Sequence, residues 1–249
     1  MNFHVLTLFP EMIENALNES ITGRAINKGL ISLNTVNIRD YATNKYKHVD
    51  DYCYGGGSGM LMQAEPVWLC YKDVEEKIGK KPRVLYMSPQ GRTFDQKFAE
   101  ELSLEEDIVF LCGHYEGIDE RALELIQPEE VSLGDFVLTG GELPAITMID
   151  CISRLVPGVL GKDDSAVYET FYDGLVEYPQ YTRPETFMGL SVPKILLSGD
   201  HKKVEEWRKN TAIERTRIKR PDMYKKYMEE HKNDFVKKKQ KKVNKSSEI

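Results

Sequence analysis

Short apolar runs alternate with amphipathic stretches along the first two-thirds of the chain. FHVLTLF precedes MIENAL, RVLYMS precedes FDQKFAEEL, DIVFLC precedes IDERALELI, and VSLGDFVL precedes ELPAITMIDCISRL. Runs of strand length followed by stretches of helical period predict an α/β domain with a mostly parallel sheet and helices on its faces. Open sheets of this kind bind ligands beyond the carboxyl ends of their strands, so chemistry is expected in the loops that follow the runs. The pattern breaks near Gly158, where PGVLGKDDSAVYETFYDGLVEYPQYTRPET carries Pro, Gly, aromatic and acidic residues with neither period. A connection this long is functional or disordered, and its aromatic residues argue for function. Beyond it, DHKKVEEWRKNTAIERTRI and PDMYKKYMEEHKNDFVKKK read as helices, with Asp200 as an N-cap and Pro221 in a first turn. The expected organisation is a large α/β domain over 1–160, a linker over 161–184 and a smaller, mainly helical domain over 185–249.

Composition adds bounds to this picture. At 249 residues, 41% hydrophobic and 30% charged, the chain reads as soluble and globular with a sizeable core. No run of about 18 apolar residues occurs, and MNFHVLTLFPEM lacks a basic region followed by a long apolar block, so a cytoplasmic protein without membrane contact is expected. Cys53, Cys70, Cys112 and Cys151 are scattered without a C-x-x-C pair, which suggests neither a disulfide framework nor a zinc knuckle. Cys112 and His114 lack a second ligand pair at metal-binding spacing. The net charge of −6 hides an asymmetry: from His201 to Ile249 there are 17 Lys and Arg against 8 Asp and Glu, a surplus of +9 that leaves −15 on residues 1–200. That segment is a candidate polyanion surface, while its lysine-rich end, KKKQKKVNKSSEI, reads as a solvated tail.

Three strand-end loops stand out: MSPQGR, LCGHYEGIDER and SLGDFVLTGGELPA. Their glycines allow backbone groups to approach a ligand that a Cβ would exclude, although each glycine alone is also compatible with an ordinary turn. The common nucleotide motifs fail on counting. GVLGKD has the wrong spacing for a phosphate-binding P-loop and an Asp where a hydroxyl is needed, and GGGSGM lacks the last glycine of G-x-G-x-x-G and the strand before it. With no Lys or Arg in SLGDFVLTGGELPA, a triphosphate has little to neutralise it. A ligand held by backbone groups and apolar walls fits better, such as an adenosine bearing a thioether or sulfonium.

Taken together, LTLFPEM, YGGGSGMLM, SPQGRTF, LCGHYEGIDER, SLGDFVLTGGELPA, RLVPGVLG and YPQYTRP resemble, in order, the signature motifs of the bacterial tRNA (guanine-37-N1)-methyltransferases, the TrmD family of the SPOUT class. The resemblance runs from about residue 5 to residue 184, and VPKILLSGDHKKVEEWR extends it more weakly to about residue 208. It implies an α/β domain tied in a deep trefoil knot, S-adenosylmethionine bent into the knot loops, tRNA as substrate, and a homodimer with each active site across the interface. It also admits Mg²⁺, held by protein or RNA. The knot has no basis in spacing or composition, and chain topology in general disfavours one. By motif, the cofactor-binding residues implied are Tyr86, Met87, Ser88, Pro89, Gln90 and Gly91; Gly113, Tyr115 and Glu116; and Ser132, Leu133, Gly134, Phe136, Leu138, Gly140, Gly141 and Pro144. Glu116 is expected to face the amino group or sulfonium of the cofactor, the alternative being an exposed loop acid.

Methyl transfer to guanine N1 displaces a proton that a carboxylate can accept, while a cation near O6 stabilises the developing charge. The resembling family usually has an aspartate ahead of DGL; this chain has Glu169, one methylene longer. A second exchange of this kind stands at Glu177. Arg154 matches the family's cation, with a helix-terminal arginine as the alternative, and Asp173 is the second candidate base. Two other functions remain open: a related knotted methyltransferase acting on another RNA site, and a non-catalytic RNA-binding protein.

Overall fold

The computed structural model describes residues 1–57, 59–161, 171 and 173–232. The chain divides into two compact units, Met1–Asp163 and Asp164–Ile249. In the first, β1 (Asn2–Thr7) is followed by α1 (Pro10–Leu17), α2 (Ser20–Asn27) and β2 (Ser32–Asn37). A two-stranded antiparallel pair, β3 (Asp50–Tyr52) and β4 (Met60–Met62), leads to α3 (Ala64–Ile78). Then come β5 (Arg83–Thr93), α4 (Gln96–Leu102), β6 (Asp107–Leu111), α5 (Glu120–Ile126), β7 (Glu129–Ser132) and α6 (Glu142–Ser153). Five of these strands form one sheet in the order β2-β1-β6-β5-β7, and every pairing in it is parallel.

The apolar runs explain this architecture. Successive side chains of a strand face opposite sides of a sheet, and here both sides are buried. Phe3 and Val5, Leu85 and Met87, and Ile108, Phe110 and Cys112 enter a core with α1, α2, α4 and α6. Leu6, Val84, Tyr86, Val109 and Leu111 enter a second core with α3 and α5. Parallel strands covered on both faces read as continuous apolar runs, as these do. The edge strand β2, SLNTVN, is only half-buried and correspondingly polar.

The chain reaches β6 from β5 through α4 and returns past β5 to β7 through α5, so β5 lies between the two strands that follow it. The carboxyl ends of these three adjacent strands therefore open on one place. The MSPQGR loop is an excursion within β5: Met87 and Arg92 both pair with Val131, and the four residues between them leave the ladder. The loop lies so close to β7 that a Cβ on Gly91 would fall 2.2 Å from the Glu130 carbonyl carbon and 2.3 Å from Val131 N.

In the second unit, β8 (Thr186–Phe187) and β9 (Leu190–Ser191) form a short antiparallel pair ahead of α7 (His201–Lys219) and α8 (Pro221–Glu230). Asp200 caps α7 by accepting the Lys203 N–H at 3.2 Å. The stretch read as a linker contributes to this unit. Leu175 is buried with Ala212 and Tyr227, and the Val176 N–H donates to Thr216 Oγ1 at 2.8 Å.

Because the obstacle at Gly91 is backbone, Gly91→Ala is expected to lower stability in urea by about 3 kcal/mol. Gly56→Ala, with φ near +83° and nothing within 4 Å of the added Cβ, is expected to lose only about 1 kcal/mol to backbone strain. Equal losses at the two positions would contradict the packing described for the loop.

Candidate functional site

A cavity of about 260 Å³ lies at the excursion within β5 and the carboxyl ends of β6 and β7. Tyr86, Met87, Ser88, Pro89 and Gln90 form one wall. The loop after β6 supplies Gly113, Tyr115 and Glu116, and the loop after β7 supplies Ser132, Leu133, Phe136, Leu138, Gly140 and Gly141, with Pro144 from the first turn of α6. Of the residues marked for a cofactor, Gly91 and Gly134 stand outside this lining. Gly91 is placed by its approach to β7, as above. Gly134, with φ near +152°, closes a small ring in which Ser132 Oγ accepts its N–H at 3.1 Å and donates to its carbonyl at 3.0 Å.

The cavity also takes in His114, Gly117, Val131, Val137 and Thr139, which the sequence reading did not mark. His114 and Gly117 belong to LCGHYEGIDER, and Val137 and Thr139 alternate with Phe136 and Leu138. Treating each motif as a whole wall would have found these four. Val131 needs the sheet pairing, because it is buried against β5.

Contacts among the loops give the cavity its shape. The Gly141 N–H donates to the Gly113 carbonyl at 2.9 Å, and His114 and Gly140 form an antiparallel bridge. A Cβ on Gly141 would lie 2.7 Å from Cys112 Cα and 3.0 Å from Met87 Cβ. The glycine pair thus serves loop-on-strand packing, an addition to the expected role of baring backbone to a ligand. The loop after β6 is held from outside as well. The Glu116 N–H donates to the Met60 carbonyl at 3.0 Å, and the Met62 N–H donates to the Gly117 carbonyl at 3.0 Å.

The described lining contains backbone, apolar groups, the hydroxyls of Ser88, Ser132, Thr139, Tyr86 and Tyr115, the Gln90 amide, the His114 imidazole and the Glu116 carboxylate, with no Lys or Arg among the described residues. Such a wall suits a neutral or cationic ligand carrying an aromatic ring and hydroxyls, and it disfavours a polyphosphate. Burial first, then the charge of Glu130, raises the Tyr86 hydroxyl, which stays protonated. Burial and the nearby Glu142 carboxylate hold the Cys112 thiol well above its ordinary range. Among the described residues, no group of three or more His, Cys, Asp or Glu side chains could hold a metal ion, and no helix is long and apolar enough to cross a membrane.

Arg154 is not among the described residues that line this cavity. Arg154 is the C-cap of α6, its N–H bonded to the Asp150 carbonyl at 3.2 Å. Asp173, in the second unit, uses Oδ1 to accept the Leu175 N–H at 3.2 Å. Glu169 lies outside the described residues.

The family model described as tRNA (Guanine-1)-methyltransferase TrmD matches residues 1–226. A tRNA (guanine-N(1)-)-methyltransferase of Lachnospira eligens is 59% identical over 94% of this chain and 100% of its own length. Proteins of the same name from Ruminiclostridium cellulolyticum and Clostridioides difficile are 54% and 52% identical, each over 91% of this chain and over 97% and 98% of their own lengths.

The thiol environments give a check on the cavity floor. At pH 8, half-buried Cys53 is expected to react fastest with a disulfide reagent and Cys151, raised by burial, more slowly. Buried Cys70 and Cys112 are expected to react only after unfolding. Rapid reaction of Cys112 in the native protein would mean that the end of β6 is open.

Proposed function

The chain belongs to the tRNA (guanine-1)-methyltransferase TrmD family, and from that premise we propose that it transfers a methyl group from S-adenosylmethionine to N1 of guanine 37 of tRNA. The observation that carries this reading is the cavity at the β5 excursion and the ends of β6 and β7, assembled from the family's motifs and without Lys or Arg among its described lining residues. The cofactor supplies an electrophilic methyl group on a sulfonium. Backbone groups of the excursion within β5 and of the loops after β6 and β7 bind the adenosine, the apolar residues of the last loop exclude water from it, and Glu116 faces the cationic end.

In the transfer, N1 forms a bond to the methyl carbon as the sulfur–carbon bond breaks. The N1 proton passes to a carboxylate, for which we assign Glu169, with Asp173 as second candidate. Asp173 already caps its own turn, which favours Glu169. The guanidinium of Arg154 stabilises the charge that develops on O6. The active protein is a homodimer working on tRNA in the cytoplasm, with the carboxylate of one copy acting over the cofactor of the other. No step is assigned to Mg²⁺. The basic segment from His201 onward, including α7 and α8, holds the tRNA phosphates.

Product mapping after reaction with labelled S-adenosylmethionine tests the reading directly. The label is expected on N1 of guanine 37; label on a ribose or another base would point to a different knotted RNA methyltransferase, and tRNA binding without transfer to a non-catalytic protein. Glu169→Gln is expected to slow single-turnover transfer by about 10²–10⁴ while tRNA and cofactor affinities hold. Leu138→Arg, which puts a cation into the cavity wall, is expected to abolish cofactor binding. Heterodimers of these two variants are expected to recover one intact site and substantial activity, whereas inactive heterodimers would place base and cofactor on the same copy. Affinity for tRNA is expected to fall steeply with salt, and a flat salt dependence would remove the basic segment from the interface.

A further inference from the structure

Below the cavity lies a buried polar cluster that the proposed mechanism does not use. Glu142, the first residue of α6, is only 3% exposed, although a carboxylate in a protein interior is costly unless its oxygens are satisfied. One oxygen is satisfied: fully buried Thr7, at the end of β1, donates its hydroxyl to Oε1 at 2.7 Å, and the same hydroxyl accepts the Phe9 N–H at 2.9 Å. The helix N-terminus adds a favourable field for the negative charge. The other oxygen, Oε2, faces Nδ1 of His114 at 4.0 Å. Nδ1 is itself buried and without a hydrogen-bond partner. Between them stands Gly140, where a Cβ would lie 2.5 Å from Oε2 and 2.6 Å from Nδ1. The missing side chain leaves the carboxylate and the imidazole facing each other across a gap of about 1 Å beyond hydrogen-bond reach.

The ring of His114 is fixed from two sides, with Phe9 and Tyr115 each at 5.1 Å between centroids. His114 lines the cavity with its side chain one-quarter exposed. Since Nδ1 is buried, the exposed surface of the side chain belongs to its other atoms. In a neutral imidazole one nitrogen carries the proton and the other accepts, and the partner of the first decides which. A carboxylate can only accept.

We propose that Glu142 is a positioning residue for the methyl-transfer site, holding the proton of His114 on Nδ1 so that Nε2 stands in the cavity wall as an acceptor for an N–H or O–H group of the cofactor. This rests on the function proposed above for the cavity. It gives His114 a role in a wall whose other described side-chain acceptors are the hydroxyls of Ser88, Ser132, Thr139, Tyr86 and Tyr115, the Gln90 amide and the Glu116 carboxylate, and it couples the ends of β1 and β6 to the start of α6.

The test reads the tautomer itself. The chain has five histidines, so ¹⁵N-histidine labelling with long-range proton–nitrogen correlation resolves each ring, and loss of one signal set in His114→Gln assigns it. The expected spectrum shows His114 protonated at Nδ1 and unprotonated at Nε2. In Glu142→Gln, whose amide can donate to Nδ1 while Oε1 still accepts from Thr7, the proton is expected to move to Nε2. A wild-type ring protonated at Nε2 would overturn the proposal without any variant. Calorimetry with S-adenosylhomocysteine supplies the second readout. His114→Gln, which can return an acceptor near the place of Nε2, is expected to stay within about threefold of wild type, and His114→Asn, which mimics only Nδ1, to lose about tenfold. The reverse order would mean that the tie to Glu142, and not the acceptor, is what the cavity needs, and would also overturn the proposal. The tautomer measurement needs no cofactor, so a wild-type protein that binds no S-adenosylhomocysteine would sink the function proposed above and leave the pair's own test standing.

Discussion

The contact on which the cavity depends is the approach of the loop after β7 to the ends of β5 and β6. At Gly141 the backbone comes so near Cys112 and Met87 that no Cβ fits, and its N–H closes on the Gly113 carbonyl at 2.9 Å. That contact brings the end of the last loop beside the loop after β6, starts α6 against the sheet, and buries Glu142 below them. Without it, the exposed apolar residues Phe136, Val137 and Leu138 would belong to a loop in solvent; with it, they belong to a wall.

Charge is distributed in keeping with two tasks. Among the described residues the cavity of the first unit offers no lysine or arginine, so a cationic methyl donor meets no like charge from them. The lysines and arginines concentrate from His201 onward, where a phosphate backbone would meet them. Several of those in α7 and at its junction with α8 pair with neighbouring acids, such as Arg217 with Glu214 and Arg220 with Asp222. Exposed pairs of this kind are weak and can exchange a carboxylate for a phosphate at little cost.

The parts of the fold legible in the sequence are those where one local signal suffices. β1, β5 and β6 are buried on both faces and therefore appear as apolar runs, and the amphipathic stretches after them became α1, α4 and α5. β2 was not marked because an edge strand is half-solvated and its SLNTVN is mostly polar. The excursion inside β5 could not be read at all, since the return of Arg92 to Val131 is a pairing between distant segments. The candidate cavity was legible for a similar reason in reverse: its walls are contiguous motifs, so a residue such as Leu133 could be placed by its neighbours. Gly91 and Gly134 look like cavity glycines in sequence but stand outside the lining, Gly91 because a Cβ there would meet the backbone of β7, and a one-dimensional pattern does not say what a missing Cβ makes room for. The Glu142–His114 pair is legible only in three dimensions, since neither residue carries a local signal for the other.

The central claim is that the excursion within β5 and the loops after β6 and β7 form the site of the methyl donor. A crystal structure with S-adenosylhomocysteine tests it most directly. The account predicts the adenosine between the Ser88–Gln90 turn and the loop that ends at Gly141, contacted by backbone groups and by no lysine or arginine. Ligand density anywhere else on the chain, or at this place with a basic side chain on the adenosine, would contradict it.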